Sequence, residues 1–210
     1  MSDKNVCISV LCGDERGGWI HPQLALFLLE TVAQHPSVKL HFSLDARPVT
    51  RARNLISDWF LKSDCEWLMM IDNDVVPPLG VLEVLDSAPP EAAVIAPKCF
   101  VPVNGNPFCL GWRPIGETNV DGWQEISDCA TAAVFIRRDV FARLTKPYFN
   151  FGLLPGDEVW PSIPEDLMFC RKVREAGIRI FGHRGYACSH FRTVERYSLR
   201  VPRDKVLARR

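Results

Sequence analysis

The chain has 210 residues, of which 47% are hydrophobic and 24% are charged, so it is long enough to bury a substantial core and short enough to form one domain. Lysine plus arginine equals aspartate plus glutamate, at 25 each, which excludes a protein-wide field that would attract nucleic acid, a membrane surface or an acidic substrate. We therefore expect one domain over residues 1–210 that recognises any charged partner through local contacts.

The cysteines and the first residues of the chain bear on its location in the cell. The eight cysteines are dispersed and form no CxxC pair, so we expect reduced, buried thiols rather than a zinc or redox site. The first residues lack the basic and then apolar pattern of a signal peptide, and no apolar run reaches membrane-spanning length. These patterns predict a soluble, cytoplasmic protein.

Strand-like and helix-like segments alternate in the first half of the chain. Short apolar runs predict strands at 6–11, 38–44 and 67–71, and apolar residues at helical spacing predict helices at 22–33 and after Pro48. The order strand, helix, strand, helix, strand is typical of a parallel sheet covered by helices.

The second half is less regular. It predicts short helices at 79–85 and 138–144, strands at 92–96, 129–136 and 178–181, and a helix at 166–175. Residues 100–124 are rich in turn formers and have no period, which predicts loops or a hairpin, and residues 148–164 are again irregular with several aromatic residues. Long irregular segments of this kind are often functional.

Two carboxylates follow the third predicted strand directly. Asp72 and Asp74 are two residues apart, where an extended backbone aims both side chains to the same side, and Pro77-Pro78 prevents the strand from continuing. Hard oxygen ligands at the carboxyl edge of a sheet suit a divalent cation that carries a phosphate. The alternative is structural, because Asp and Asn before Pro-Pro are also ordinary turn formers and helix caps.

Three further features have the same two interpretations. Arg53 on a predicted helix is either a site residue or a solvated charge. Glu165 and Asp166 open a late helix, where the helix dipole favours acidic residues whatever their function. His190 follows a late strand, but an isolated histidine is usually structural, and His183 is a competitor for any role assigned to it.

The order of these features resembles that of glycosyltransferases with the GT-A fold, especially the family 2-like type. The segments that carry the resemblance are 52–56, 67–74, 132–141 and 165–170, followed by Gly177 and His190. The resemblance implies an α/β fold of GT-A (Rossmann-like) type, with a central mostly parallel sheet flanked by helices and an irregular acceptor-side region. It also implies a nucleotide-sugar-binding half at 1–97, an acceptor and catalytic half at 98–191, and a basic C-terminal tail at 192–210.

The activity that the resemblance implies is that of a metal-dependent glycosyltransferase of the hexosyltransferase type, which moves a sugar from a nucleotide-diphosphate sugar, most simply a UDP-sugar, to an acceptor hydroxyl. Asp72-Asn73-Asp74 looks like the DxD motif of the family, in which Asp74 coordinates Mn²⁺ or Mg²⁺ while Asp72 and Asn73 help to hold the donor. Asp45 corresponds to an acid that contacts the nucleotide base, and Arg53 to a basic residue near the donor. Asp45 is equally well a turn residue that ends a strand.

Glu165-Asp166 resembles the catalytic acidic pair of the family, in which Asp166 would act as general base in an inverting transfer. A carboxylate that takes the proton of an acceptor hydroxyl makes that hydroxyl a competent nucleophile. His190 resembles a late histidine that joins Asp72 and Asp74 as a third metal ligand.

The acceptor is left open by the sequence. The segment after the first strand, Cys12-Gly13-Asp14, departs from the usual polar pattern of the family. The tail at 192–210 carries seven basic residues against two acidic ones, so a glycan, a lipid-linked acceptor or a nucleic acid could bind there. A solvated helix or a contact in an oligomer explains the same tail.

Three other functions remain as alternatives. A nucleotide-sugar or glycan binding module without turnover would not need both Asp74 and Asp166. A nucleotidyltransferase would be expected to carry a Gly-rich, basic loop after the first strand, which is absent from the sequence. A haloacid-dehalogenase-type phosphatase places its motif on an early strand and needs a later Gly-Asp-x-x-x-Asp, which is also absent.

Overall fold

The computed structural model describes residues 5–12, 18–44, 47–103, 106–117, 121–154 and 162–191. The helices are α1 Pro22–Gln34, α2 Val49–Lys62, α3 Arg138–Arg143 and α4 Glu165–Glu175, with a 3₁₀ turn at Val81–Leu85. The strands are β1 Val6–Leu11, β2 Lys39–Ser43, β3 Trp67–Asp72, β4 Val75–Val76, β5 Val94–Ile95, β6 Lys98–Val103, β7 Asn106–Leu110, β8 Arg113–Pro114, β9 Trp123–Asp128, β10 Ala133–Arg137, β11 Ile180–His183 and β12 Ala187–His190.

The larger sheet has the strand order β2-β1-β3-β10-β5-β11-β9-β8 within the described ranges. The first three strands are parallel, as the alternating sequence predicts. β10 then runs antiparallel between β3 and β5, while β5 and β11 are again parallel. The expected α/β fold is confirmed, with a Rossmann-like sheet flanked by helices. The antiparallel strands were not predicted, because apolar periodicity identifies a strand without giving its direction.

β3 lies inside the larger sheet between β1 and β10, and its five residues from Trp67 to Ile71 are at most 5% exposed. Leu68 and Met70 pack into a core layer with residues of α2 and α4, whereas Met69 and Ile71 pack into a second layer with residues of α1. A strand that is covered on both faces is expected to be apolar at every position. The same burial forces the first polar side chain, Asp72, to the end of the strand.

A smaller sheet, of order β4-β12-β6-β7 in the described residues, lies beside the end of β3. β6 and β7 form the hairpin that was one of the predicted alternatives for the irregular region. β12 pairs in parallel with β6 and antiparallel with the two-residue strand β4. β4, β9 and β12 were not predicted. His190 therefore ends a strand rather than following one.

The loop between β9 and β10 is held close to Gly111, which has φ +56°. A Cβ atom at position 111 would lie 2.8 Å from the backbone nitrogen of Ala130. Only glycine allows both the left-handed backbone and this approach. The predicted strand at 129–136 begins only at Ala133, because residues 129–132 form this loop.

All eight cysteines are free thiols, and all but Cys109 are buried. Across the described ranges, no helix is both long enough and apolar enough to cross a membrane.

Candidate active site

Asp72 ends β3 at the edge of the larger sheet where the parallel strands β1, β2 and β3 end. Its backbone N–H donates to the carbonyl oxygen of Ala132 at 2.9 Å, which ties this edge to the loop before β10. Asn73 and Asp74 form the turn that leads into β4. Polar groups that follow a buried parallel strand meet at the edge where open α/β folds bind ligands.

Arg53 of α2 lies under this edge and is 2% exposed. Its Nη2 donates to Asp72 Oδ1 at 3.1 Å and its Nη1 to the carbonyl oxygen of Thr131 at 2.9 Å. Its Nε lies 3.5 Å from Glu165 Oε1, and its guanidinium group lies over the ring of Phe149 at 5.9 Å. These contacts contradict the interpretation of Arg53 as a solvated charge. The guanidinium group contacts four separate segments of the chain.

Asp74 and His190 form a second contact of the site. His190 Nε2 lies 3.2 Å from Asp74 Oδ1, and the two side chains are 20% and 15% exposed. The backbone fixes this approach, because His190 is the register partner of Val75 and the N–H of Phe191 donates to the carbonyl oxygen of Asp74 at 2.8 Å. His183, the competing histidine, instead lies with its Nε2 2.9 Å from the carbonyl oxygen of Asp121.

Asn73 is hydrogen-bonded to the segment before α1. Its side-chain Nδ2 donates to the backbone carbonyl oxygen of Trp19 at 3.1 Å. Its backbone carbonyl oxygen accepts from the N–H of His21 at 2.8 Å. The ring of His21 stacks on that of Phe191 with centroids 4.0 Å apart. Trp19, His21 and Phe191 were not predicted from the sequence, because their contacts depend on the tertiary fold.

Glu165 and Asp166 form the first turn of α4, which begins directly after Pro164. Glu165 reaches the buried guanidinium group of Arg53, whereas Asp166 Oδ1 accepts from the backbone N–H of Leu167 at 2.8 Å. Burial raises the pKa of Asp166, and the charge of Glu165 adds to this rise, while the hydrogen bond from Leu167 and the charge of Arg53 oppose it.

Asn54, the neighbour of Arg53, has a supporting role. Its Nδ2 donates to the carbonyl oxygen of Phe149 at 2.8 Å, and its Oδ1 accepts from the N–H of Tyr148 at 2.8 Å. Phe149 in turn stacks on Phe169 of α4 with ring centroids 4.5 Å apart. Asn54 therefore fixes the segment that packs against both Arg53 and α4.

The charges of the site belong to one electrostatic cluster. Burial raises the pKa of Asp72, the charges of Asp74 and Glu165 add to the rise, and those of Arg53 and His190 oppose it. In the described part of the chain, the cluster contains four carboxylates, which include Asp166, and a single guanidinium group. The net charge of the site therefore favours a cation.

The described residues contain no group of three or more His, Cys, Asp or Glu side chains arranged to hold a metal ion. The expected ligands Asp74 and His190 are in contact, while Asp72 is directed to Arg53. Asp45, expected to contact the nucleotide base, and the basic tail at 192–210 lie outside the described residues.

No protein-family model and no curated protein matches the sequence. Solved structures match over most of the chain. A crystal structure of A197 from STIV has a TM-score of 0.64 at 18% identity, over 90% of this chain and 86% of that one. The crystal structure of GalNAc-T7 with UDP, GalNAc and Mn²⁺ has a TM-score of 0.56 at 12% identity, over 89% of this chain and 44% of that one.

The structure of the inositol-1-phosphate CTP transferase from T. maritima has a TM-score of 0.53 at 7% identity, over 90% of each chain. At such low identity these similarities show the fold alone. The fold is the Rossmann-like fold that glycosyltransferases of GT-A type share with nucleotidyltransferases.

Proposed function

We propose that the protein is a metal-dependent glycosyltransferase that moves a sugar from a nucleotide-diphosphate sugar, most simply a UDP-sugar, to an acceptor hydroxyl. The observation that carries this proposal is the cluster at the end of β3. There Asp72 and Asp74, with His190 beside Asp74, lie in one electrostatic network with the acidic pair at the start of α4. A site for a cation-bound diphosphate thus adjoins a carboxyl group suited to proton transfer.

The donor set fits Mn²⁺ or Mg²⁺. Asp72 and Asp74 supply carboxylate oxygens, which these hard cations prefer, and His190 supplies an imidazole nitrogen. Burial raises the pKa of Asp72, whereas the contact with the guanidinium group of Arg53 opposes that rise. The cation would neutralise the diphosphate leaving group when bound. Oxygens of the diphosphate would have to supply further ligands, because the described residues contain no group of three or more side chains that could hold a metal ion.

Asp166 is the proposed general base of an inverting transfer. Its side chain is only partly buried, so an acceptor hydroxyl can reach it, and its raised pKa makes the carboxylate a stronger base than an exposed aspartate. Glu165, next to it, holds the start of α4 against the buried guanidinium group of Arg53. Asp45 and Asn73 are proposed to line the donor, with Asp72.

A screen of nucleotide sugars with Mn²⁺ tests this proposal, with the melting temperature and the release of nucleoside diphosphate as readouts. We expect one class of donor to raise the melting temperature only with Mn²⁺, and to be consumed with release of its nucleoside diphosphate. Binding without release would favour the binding module. Release of pyrophosphate from a nucleoside triphosphate and a sugar phosphate would favour a nucleotidyltransferase, whose fold one neighbour shares.

A further inference from the structure

Arg53 is the one charged side chain that is buried among the described residues. A buried charge is costly unless hydrogen bonds and opposite charges surround it, so its contacts are expected to be specific. Two of its nitrogens make hydrogen bonds, to Asp72 and to the carbonyl oxygen of Thr131. The third, Nε, is buried without a hydrogen bond and faces Glu165 at 3.5 Å.

The two carboxylates that Arg53 contacts belong to different halves of the site. Asp72 ends β3 on the donor side, and Glu165 begins α4 beside Asp166. The hydrogen bond to the carbonyl oxygen of Thr131 and the packing against the ring of Phe149 restrict the guanidinium group to small movements. A movement of a few tenths of an ångström would exchange a good hydrogen bond to Asp72 for one to Glu165.

We propose that Arg53 is a positioning residue that couples cation binding at Asp72 to the placement of Glu165 and Asp166. The coupling rests on the proposed function, because it needs a cation at Asp72. A cation that takes the charge of Asp72 weakens the attraction of Arg53 for that carboxylate, and Arg53 Nε then closes on Glu165. The first turn of α4 is thereby held more firmly when the donor side is occupied.

Coupling between two sites is reciprocal, so Glu165 must also affect the affinity for the cation. With Glu165 present, Arg53 has an alternative partner when the cation binds Asp72. Without that charge, Arg53 competes with the cation for Asp72, and the affinity falls. This effect depends on a planar guanidinium group that can contact both carboxylates and Thr131 at once, which the point charge of lysine cannot do.

A double-mutant cycle on cation affinity tests the coupling, with calorimetry of Mn²⁺ in the presence of uridine diphosphate as the readout. We expect Glu165→Gln to weaken Mn²⁺ binding by roughly tenfold in the unaltered background and clearly less in the Arg53→Lys background. The direct electrostatic effect of Glu165 is common to both backgrounds and cancels. The control Glu175→Gln also removes one negative charge, but at the far end of α4, where Glu175 pairs with Arg171. It should have little effect on Mn²⁺ affinity in either background.

The outcomes separate the two proposals. If Mn²⁺ and uridine diphosphate do not bind the unaltered protein together, the proposed function and the coupling both fail. If they bind and the effects of Glu165→Gln and Arg53→Lys are additive, the coupling alone is wrong. If Glu165→Gln does not change the affinity for Mn²⁺ in the protein that keeps Arg53, the coupling is also wrong.

The variant Arg53→Lys can fail to fold, so a second measurement uses the unaltered protein. Arg53 Nε–H should give a nuclear magnetic resonance signal that moves downfield when Mg²⁺ and uridine diphosphate are added, because its 3.5 Å contact with Glu165 shortens to a hydrogen bond. A signal that does not move when the diphosphate binds would overturn the coupling.

Discussion

Asp72 and Asp166 are both carboxyl groups whose pKa is raised by burial, but their neighbours differ. Asp72 is in direct contact with Arg53 and in the field of Asp74. Asp166 accepts a hydrogen bond from the backbone N–H of Leu167 and lies in the field of Glu165. Different surroundings can give two carboxyl groups different tasks, and the roles we propose are cation binding for Asp72 and proton transfer for Asp166.

Replacement of Asp166 by Asn keeps the shape of the side chain and removes its basicity. We expect donor and Mn²⁺ binding to survive, while the single-turnover rate of transfer falls by about 100-fold or more, the usual contribution of a general base. If Asp166 only stabilises the start of α4, the same change costs about 1 kcal/mol of stability at most and leaves the rate nearly intact. Asp139→Asn, at the first turn of α3, is the matched control.

The pH dependence of the transfer follows from the raised pKa of Asp166. The base must be ionised, so the rate should rise with pH through that pKa, which lies above the ordinary aspartate value of 3.8, and level off at higher pH. The measurement is kcat/KM against pH, and the rising limb should disappear in Asp166→Asn. A rate that is independent of pH across the range above 3.8 would assign the base to another group.

The helices and strands that could be predicted from the sequence are those with a clear local pattern of apolar residues. β1, α1, α2 and β3 appear close to their predicted positions, because each has a long apolar run or a clear period. The pairing of β4 with β12 could not be predicted, since β4 has only two residues and its partner is distant in the chain. The approach of His190 to Asp74 depends on that pairing.

The contacts of Arg53 could likewise not be predicted from the sequence, although the resemblance places it near the donor. A basic residue on an amphipathic helix is most often solvated, but Arg53 lies on the buried face of α2 with Ile56 and Phe60, unlike the exposed Arg51. The difference arises from the loop before β10, whose Thr131 carbonyl oxygen accepts from Arg53, and from Glu165 on α4. The expected roles of Asp72, Asp74, Glu165, Asp166 and His190 in metal binding and catalysis stay predictions.

The close approach of Gly111 to Ala130 provides a test of this loop. Gly111→Ala should lower the free energy of unfolding by roughly 1–2 kcal/mol for the left-handed backbone, and by a further 1–3 kcal/mol or so for the contact at 2.8 Å. Because Thr131 follows in the same loop, diphosphate binding with Mn²⁺ should weaken too.

Gly116→Ala is the control for that prediction. Gly116 also has a left-handed backbone, with φ +67°, but a Cβ atom there would meet nothing within 4 Å. Gly116→Ala should lower the free energy of unfolding, measured by urea denaturation, only by the cost of the left-handed backbone. It should leave diphosphate binding unchanged. Equal effects of the two substitutions on binding would show that the loop does not support the site.

At the scale of the whole molecule, the formal charge is balanced, at 25 basic and 25 acidic residues, yet the edge of β3 concentrates carboxylates around one buried guanidinium group. A neutral chain attracts a diphosphate weakly over long distances. In the function that we propose, a cation carried with the diphosphate would supply positive charge where these carboxylates lie. The fold shared with GalNAc-T7 and a CTP transferase is compatible with this arrangement.

Calorimetry of uridine diphosphate with and without Mn²⁺ tests the proposed cation site, on the unaltered protein, on Asp74→Asn and on the control Asp139→Asn. We expect binding to require Mn²⁺ in the unaltered protein and in the control, and to weaken by roughly tenfold or more in Asp74→Asn, because a carboxylate ligand is lost while the shape is kept. Equal affinity with and without Mn²⁺, or an undiminished affinity in Asp74→Asn, would contradict the proposed cation site.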